Sequence, residues 1–252
     1  EWKAAIKPNT KLFFLETPSN PLGEVADLEA LAELAHSIGA LLVVDNSLLS
    51  PVGSQPLKHG ADISVSSATK AIDGHGRVMG GVLAGSEELM TQVAVYCNSC
   101  GLAMSPFNAW QLLSGVETLS LRMEKQFDNA LKIAQWLQQQ PQVQAVYYTG
   151  LPDHPQAELI RKQQNGGGIV IGFEVADQEA AWKIVDGVEL FSRTANLGDV
   201  RSTITHPWTT THGRMQPEEK LAANIRPGLV RLSIGLEYVD DLIEDLKQVL
   251  NK

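Results

Sequence analysis

The run Ala40-Leu41-Leu42-Val43-Val44-Asp45-Asn46 constrains the fold more than any other stretch of this chain. A short unbroken apolar run closing on an acid reads as a strand buried on both faces, which is how a parallel sheet is written in sequence. Ahead of it, Asp27 to Ile38 reads as a helix: Asp27 can cap it, and Leu28, Leu31, Leu34, Ala35 and Ile38 fall on one face. Gly39 suits the end of that helix. Earlier still, Lys11 to Glu16 reads as a strand. Strand, helix and strand in this rhythm make βαβ units on a mostly parallel sheet. In open α/β sheets, ligands sit at the carboxyl ends of the strands, so Asp45 stands at a candidate site.

A third strand, near Ile63 to Ser66, ends in Ser66-Ser67-Ala68-Thr69-Lys70. A lysine at the end of a buried strand is poorly solvated, and its amine can act as nucleophile or base. Ser67 and Thr69 offer hydroxyls suited to an anion such as phosphate. Gly74, Gly76, Gly80 and Gly81 follow, so the backbone there can turn tightly and approach a ligand. Taken alone, Ser-x-Thr-Lys is short and equally describes a strand ending in a surface lysine. The first strand leads into Thr17-Pro18-Ser19-Asn20-Pro21, a turn that presents Asn20 between prolines; by itself this is an ordinary turn asparagine. Together these residues provide a lysine, an acid for a ring nitrogen, an amide and a pair of phosphate-sized hydroxyls. That is the set pyridoxal 5'-phosphate (PLP) requires of a protein.

Glu16-Thr-Pro-Ser-Asn-Pro21, Val44-Asp-Asn46, Ser66-Ser-Ala-Thr-Lys70 and Gly228-Leu-Val-Arg-Leu-Ser-Ile-Gly-Leu-Glu237 stand in the order and approximate spacing of the cystathionine γ-synthase-like family of PLP enzymes, which the chain resembles over nearly its whole length. The resemblance implies the type I PLP-dependent transferase fold: an α/β large domain on a mostly parallel sheet, plus a smaller C-terminal α/β domain. It implies that Lys70 carries the cofactor and shuttles protons, that Asp45 pairs with the pyridine nitrogen, that Asn20 lies against the ring, and that Ser67 and Thr69 hold the phosphate. Arg231 would grip the α-carboxylate of an amino-acid substrate, as befits an arginine within a strand, where a charge is costly unless paired. Asn196 stands where a serine is commoner before Leu-Gly, and Ser47 where a threonine is frequent; Asn196 would contact Lys70 or the substrate carboxylate. Gly74-His-Gly-Arg-Val-Met-Gly-Gly81 and Ala195-Asn-Leu-Gly-Asp-Val-Arg-Ser-Thr-Ile-Thr-His-Pro207 look most like the O-succinylhomoserine sulfhydrylase branch. That branch implies γ-replacement by sulfide, giving homocysteine and succinate for methionine biosynthesis. Cystathionine γ-synthases and the γ- and β-lyases share the same residues. Members of the family form homotetramers, as dimers of dimers.

The family has a substantial amino-terminal portion ahead of Thr17-Pro-Ser-Asn20, with an aromatic ring and further phosphate contacts. The chain therefore reads as the carboxyl-terminal part of a longer enzyme, and an inactive fragment or a non-catalytic oligomerisation module is the reading from another class. His75 and Arg77, on the loop after Lys70, suit either a distal succinyl carboxylate or plain solvent exposure. His206 and His212 take no role.

The chain has 252 residues, a net charge of −9 and 44% hydrophobic residues. That length can bury a sizeable core. The acidic balance argues against nucleic acid or anionic membrane as a partner. There is no apolar run of eighteen residues, so no membrane span is expected. The sequence has two cysteines, Cys97 and Cys100. Their C-x-x-C spacing lacks the second pair a structural zinc site needs and falls at a likely helix end, so they read as ordinary thiols of a reducing cytoplasm. No metal-ligand spacing is present.

Downstream, Asn108 to Gln139 carries one long helical pattern, and the expected domain boundary lies near Asp128: residues 1–128 in the large domain and 129–252 in the C-terminal one. Gly166-Gly167-Gly168 precedes a strand instead of opening a helix, and so marks a turn. Strands are expected at Val143–Tyr147, Ile169–Val175, Glu189–Arg193 and Leu229–Ile234, and helices at Asp177–Asp186, Pro217–Ile225 and Val239–Leu250.

Overall fold

A computed structural model describes residues Glu1–Asn251. The chain divides into two compact units. Unit 1 comprises residues 1–18, 25–119 and 158–165; unit 2 comprises 19–24, 120–157 and 166–252. Along the chain the units change over at Leu119–Ser120, and each unit borrows a short segment from the other's stretch of sequence. An exchange of that kind leaves no mark in composition.

Unit 1 opens with α1 (Trp2–Ala5) and β1 (Leu12–Glu16), then α2 (Leu28–Ser37), β2 (Leu41–Asp45) and the short α3 (Ser50–Gly53). β3 (Ile63–Ser67) and β4 (Gly81–Gly85) complete a sheet of order β1-β2-β3-β4. β1, β2 and β3 are parallel, with Glu16 beside Asp45 and Asp45 beside Val65. β4 is antiparallel to β3. The cap expected of α2 forms, with the Asp27 carboxylate accepting from the Ala30 amide at 3.1 Å. Its apolar face, Leu28, Leu31, Ala32 and Ala35, packs with Phe13, Leu15, Leu42 and Val44 into one core cluster. At about 25 cal/mol per Å² of apolar surface, that burial is what fixes β2 and delivers its terminal acid to the sheet edge. α4 (Glu87–Ser99) and α5 (Pro106–Glu117) follow β4.

The single helix expected over Asn108–Gln139 is two. α5 ends at Glu117 and α6 (Leu119–Leu137) begins after Thr118, whose φ/ψ of −114°/9° leaves the helical region. The apolar spacing continues on both sides of that residue, and spacing alone does not register a one-residue departure.

Unit 2 contains most of α6, then β5 (Ala145–Tyr147). α7 (Ala157–Gln163), which the sequence did not announce, belongs almost wholly to unit 1, where the Gln163 side chain accepts from the Leu28 amide at 3.3 Å. β6 (Val170–Glu174), α8 (Gln178–Gly187), β7 (Ser192–Arg193), β8 (Thr203–Thr205), α9 (Pro217–Ala222), β9 (Leu229–Ser233) and α10 (Val239–Leu250) follow. The sheet runs β5-β6-β9-β8-β7 and is antiparallel except between β7 and β8. α8 packs on β9 and on α10. The strand expected over Glu189–Arg193 is only its last two residues. The amides of Glu189, Leu190 and Phe191 instead donate to the buried Asp245 carboxylate, at 2.8, 2.9 and 3.3 Å, and so are withdrawn from any ladder.

Candidate active site

The two units carry separate constellations. In unit 1, Asp45 ends β2, and Ser67 ends the neighbouring parallel strand β3. The backbone then enters a single wide turn, Ala68–Ile72, in which Lys70 is the one residue off helical geometry, at φ −88° and ψ −125°. Sheet topology therefore places an acid and a lysine at the carboxyl ends of adjacent strands, the edge where ligands bind. Both are half-buried. One Asp45 oxygen accepts from the Ser47 amide at 2.9 Å. The Ser47 hydroxyl in turn accepts from the Ser67 amide at 2.7 Å, so one residue ties the two strand ends together. The sequence pointed to Ser47 only as a departure from the family pattern, and gave no sign of this link.

The two hydroxyls expected to hold phosphate stand differently. That of Ser67 makes no protein hydrogen bond among the described residues. Thr69 Oγ1 donates to the Gly80 carbonyl at 3.3 Å and accepts from the Gly80 amide at 3.1 Å. Thr69 therefore donates to a ligand only by giving up the longer of these bonds.

In unit 2, Arg231 lies mid-strand in β9 and is 2% exposed. Its guanidinium donates to the Ala195 carbonyl at 2.6 Å, the Asn196 carbonyl at 3.5 Å and Asn20 Oδ1 at 3.4 Å. None of its bonds goes to a carboxylate among the described residues, and its Nε is buried without an acceptor. Burial lowers its pKa to about 10. A buried cation bonded only to neutral oxygens is a standing site for an anion. Asn20 reaches it because Gly172, which pairs with Arg231 in the sheet, leaves room: a Cβ there would stand 2.8 Å from the Pro21 carbonyl. Asn196 is fixed by its side-chain amide, which donates to Asp199 at 3.2 Å. The structure thus joins Arg231, Asn20 and Asn196, which sequence order holds far apart.

His75 is half-buried and the Arg77 side chain is 37% exposed, and both are tied to Asp73. The Asp73 carboxylate, fully buried, accepts from the His75 amide at 3.2 Å, the Arg77 amide at 2.8 Å and Arg77 Nε at 2.9 Å, and Arg77 Nη2 lies 2.8 Å away. Burial pushes this carboxyl up, but the Arg77 backbone and guanidinium, with the His75 amide, outweigh it and hold it below the usual carboxylate range. His206 is structural. Its Nε2 donates to the Pro227 carbonyl at 2.7 Å while Nδ1 accepts from Trp182 at 3.1 Å, and burial lowers its pKa. His212 is lowered by burial and then by the charge of Arg231. Cys97 lies in the last turn of α4 and Cys100 caps it; both are free thiols.

This donor set fits PLP. In unit 1 an acid with one oxygen unengaged and a lysine stand on neighbouring strand ends, and an uncommitted hydroxyl adjoins them. Residues 1–251 match the family described as Cys/Met metabolism PLP-dependent enzymes. The chain belongs to that family. It is 52% identical over 250 residues to the O-succinylhomoserine sulfhydrylase of Pseudomonas aeruginosa, covering 99% of this chain and 62% of that protein. It is 44% identical to the L-methionine gamma-lyase of Porphyromonas gingivalis, covering 100% and 64%. Among solved structures, the cystathionine gamma synthase of Xanthomonas oryzae pv. oryzae in complex with cystathionine superposes with a TM-score of 0.92 at 43% identity, over 96% of this chain and 63% of that one. The chain therefore spans a little under two thirds of the length of these relatives. No helix among the described residues is long and apolar enough to cross a membrane.

Proposed function

We propose that the protein of which this chain is part catalyses PLP-dependent γ-replacement on O-succinylhomoserine with sulfide, releasing homocysteine and succinate. The observation that carries the reading is the pairing of Asp45 and Lys70 at the carboxyl ends of adjacent parallel strands. The 52% identity to a sulfhydrylase supports that branch over the lyases and synthases.

PLP, when bound, supplies an electron sink for charge that develops beside the substrate amine. Asp45 would pair with the ring nitrogen and keep it protonated. Ser67, with Thr69, would hold the phosphate, and Asn20 would contact the ring. Arg231 binds the α-carboxylate with its planar fork, aided by Asn196, and so orients the Cα proton. Lys70 Nζ holds the cofactor, then takes the proton from Cα and moves one at Cβ as general base and acid. Succinate departs from Cγ and sulfide takes its place. The partners proposed are a small amino-acid substrate and further copies of the protein in a tetramer, acting in the cytoplasm.

The test is to supply the full-length protein with O-succinylhomoserine and either sulfide, cysteine or no thiol. Homocysteine formed with sulfide, at a rate well above product formation with cysteine or without thiol, supports the sulfhydrylase. Turnover only with cysteine would make it a cystathionine γ-synthase, and thiol-independent release of ammonia a lyase. No turnover and no bound cofactor would leave a non-catalytic module.

A further inference from the structure

Asp73 has no role in the chemistry just described, yet its carboxylate is the most heavily engaged acid near Lys70. It is 0% exposed. Its backbone amide donates to the Ala68 carbonyl at 2.9 Å, and the next amide, Gly74, donates to the Lys70 carbonyl at 2.8 Å. These bonds close the turn that carries Lys70. Its carboxylate then gathers the loop that follows, through the amides of His75 and Arg77 and the Arg77 guanidinium. Arg77 also reaches the Gln111 carbonyl on α5 at 3.4 Å. The far end of the same loop returns to the lysine's neighbour, because the Gly80 amide and carbonyl both bond Thr69 Oγ1. The loop is a closed ring: Lys70, Asp73, Arg77, Gly80, Thr69.

The surroundings hold this ring in place. A Cβ on Gly115 of α5 would collide with the Ile72 carbonyl and stand 3.0 Å from the Asp73 Cα, so the helix lies directly on the backbone of the turn. A Cβ on Gly80 would meet the side chains of Leu112 and Met104 at 2.8 and 2.9 Å. Since Lys70 itself departs from helical ψ, these bonds on either side, not a regular helix ladder, set where its side chain begins.

We propose that Asp73 is a positioning residue for Lys70, holding the lysine's turn by clamping Arg77, and that Arg77 is thereby committed to the clamp and does not bind substrate. This rests on the PLP reading above. Only the Asp73 side of this pair is buried, Arg77 being 37% exposed, and removing Arg77 would leave the buried acid uncompensated. A clamp of that kind suits precise placement of a side chain, where a shift of about 1 Å from productive geometry can lower turnover by roughly 100-fold.

The test uses the full-length holoenzyme and the variants Asp73→Asn, Arg77→Met, Arg77→Lys and the double Asp73→Asn/Arg77→Met. Asp73→Asn keeps shape and removes the charge. The expected result is a kcat lower by about 10- to 100-fold in Asp73→Asn, with KM for O-succinylhomoserine changed less than about threefold. The visible circular dichroism of the bound cofactor should change in the same variant. Arg77→Met should reproduce both effects, Arg77→Lys should recover part of them, and the double variant should be no worse than Asp73→Asn alone. A folded Asp73→Asn holoenzyme with unaltered kcat and dichroism would overturn the clamp. So would an Arg77→Met enzyme with a raised KM and unaltered kcat, which would make Arg77 a substrate ligand. If a variant fails to fold, Arg77→Lys carries the same comparison at smaller amplitude. A wild-type protein that takes up no cofactor overturns the PLP reading and the proposal together; a wild type loaded on Lys70 with unmoved variants overturns the proposal alone.

Discussion

In unit 1 the candidate groups hang from the ends of parallel strands; in unit 2 the candidate cation sits in the middle of an antiparallel one. Asp45 and Lys70 stand where backbone ladders stop and where a polar group costs little to place. Arg231 instead occupies a core position in β9, flanked by Val230 and Leu232 at 0% exposure, and must be desolvated. The strand ends teach where the fold offers chemistry without penalty, and the mid-strand arginine shows where the sequence accepts a penalty. Substitutions at these groups should therefore separate: activity lost without a stability change at Asp45 and Lys70, and activity lost with stability kept or gained at Arg231.

The largest effect is expected at Lys70. Lys70→Ala should lower kcat/KM by about 1,000-fold or more while the thermal midpoint stays put, measured by steady-state assay and calorimetry. A variant with near-normal turnover would break the assignment of proton transfer to this amine. Next, Asp45→Asn should retain a folded protein and lower kcat by about 100-fold, since a neutral amide no longer holds a proton on the ring nitrogen. An unchanged kcat would move that role to another residue. Third, Arg231→Met should raise KM by roughly 10- to 100-fold, the worth of a charge-assisted hydrogen bond, with a thermal midpoint equal to or above wild type. A lowered midpoint with an unchanged KM would make Arg231 a structural cation and erase the contrast between the units.

The smallest effect concerns pH. Burial lowers the His206 pKa below its ordinary 6.5. The unfolded chain therefore binds a proton more readily than the folded one. The stability that neutral His206 contributes is present above pH 6.5 and is lost as pH falls through the lower folded value. His206→Gln should flatten the dependence of unfolding free energy on pH below about 6.5, followed by denaturant titration, and should leave KM for substrate unchanged. An equally steep pH dependence in the variant would assign the slope to another group.

Much of unit 1 was legible in the sequence. The apolar run closing on Asp45, the Asp27 cap and the glycines after Lys70 each have a local physical meaning, and the βαβ order follows from them. What stayed hidden depends on contacts between distant residues. Nothing local says that Ser47 bridges two strand ends, that Thr69 is occupied by Gly80, or that Asp73 holds Arg77. In unit 2 the strand around Arg231 was legible, but its bonds to the Ala195 and Asn196 carbonyls were not, because carbonyl acceptors leave no trace in residue type. The short β7 was obscured for a related reason: the Asp245 carboxylate, supplied from α10, takes the amides that an apolar run would otherwise give to the sheet.

The most direct test of the central claim is borohydride reduction of the purified full-length protein, followed by peptide mapping and mass measurement. The account predicts a single phosphopyridoxyl adduct on the peptide containing Ser67, Thr69 and Lys70, with the added mass on Lys70. A cofactor-loaded protein whose adduct maps to any other lysine, or a protein that acquires no adduct after incubation with PLP, would contradict it.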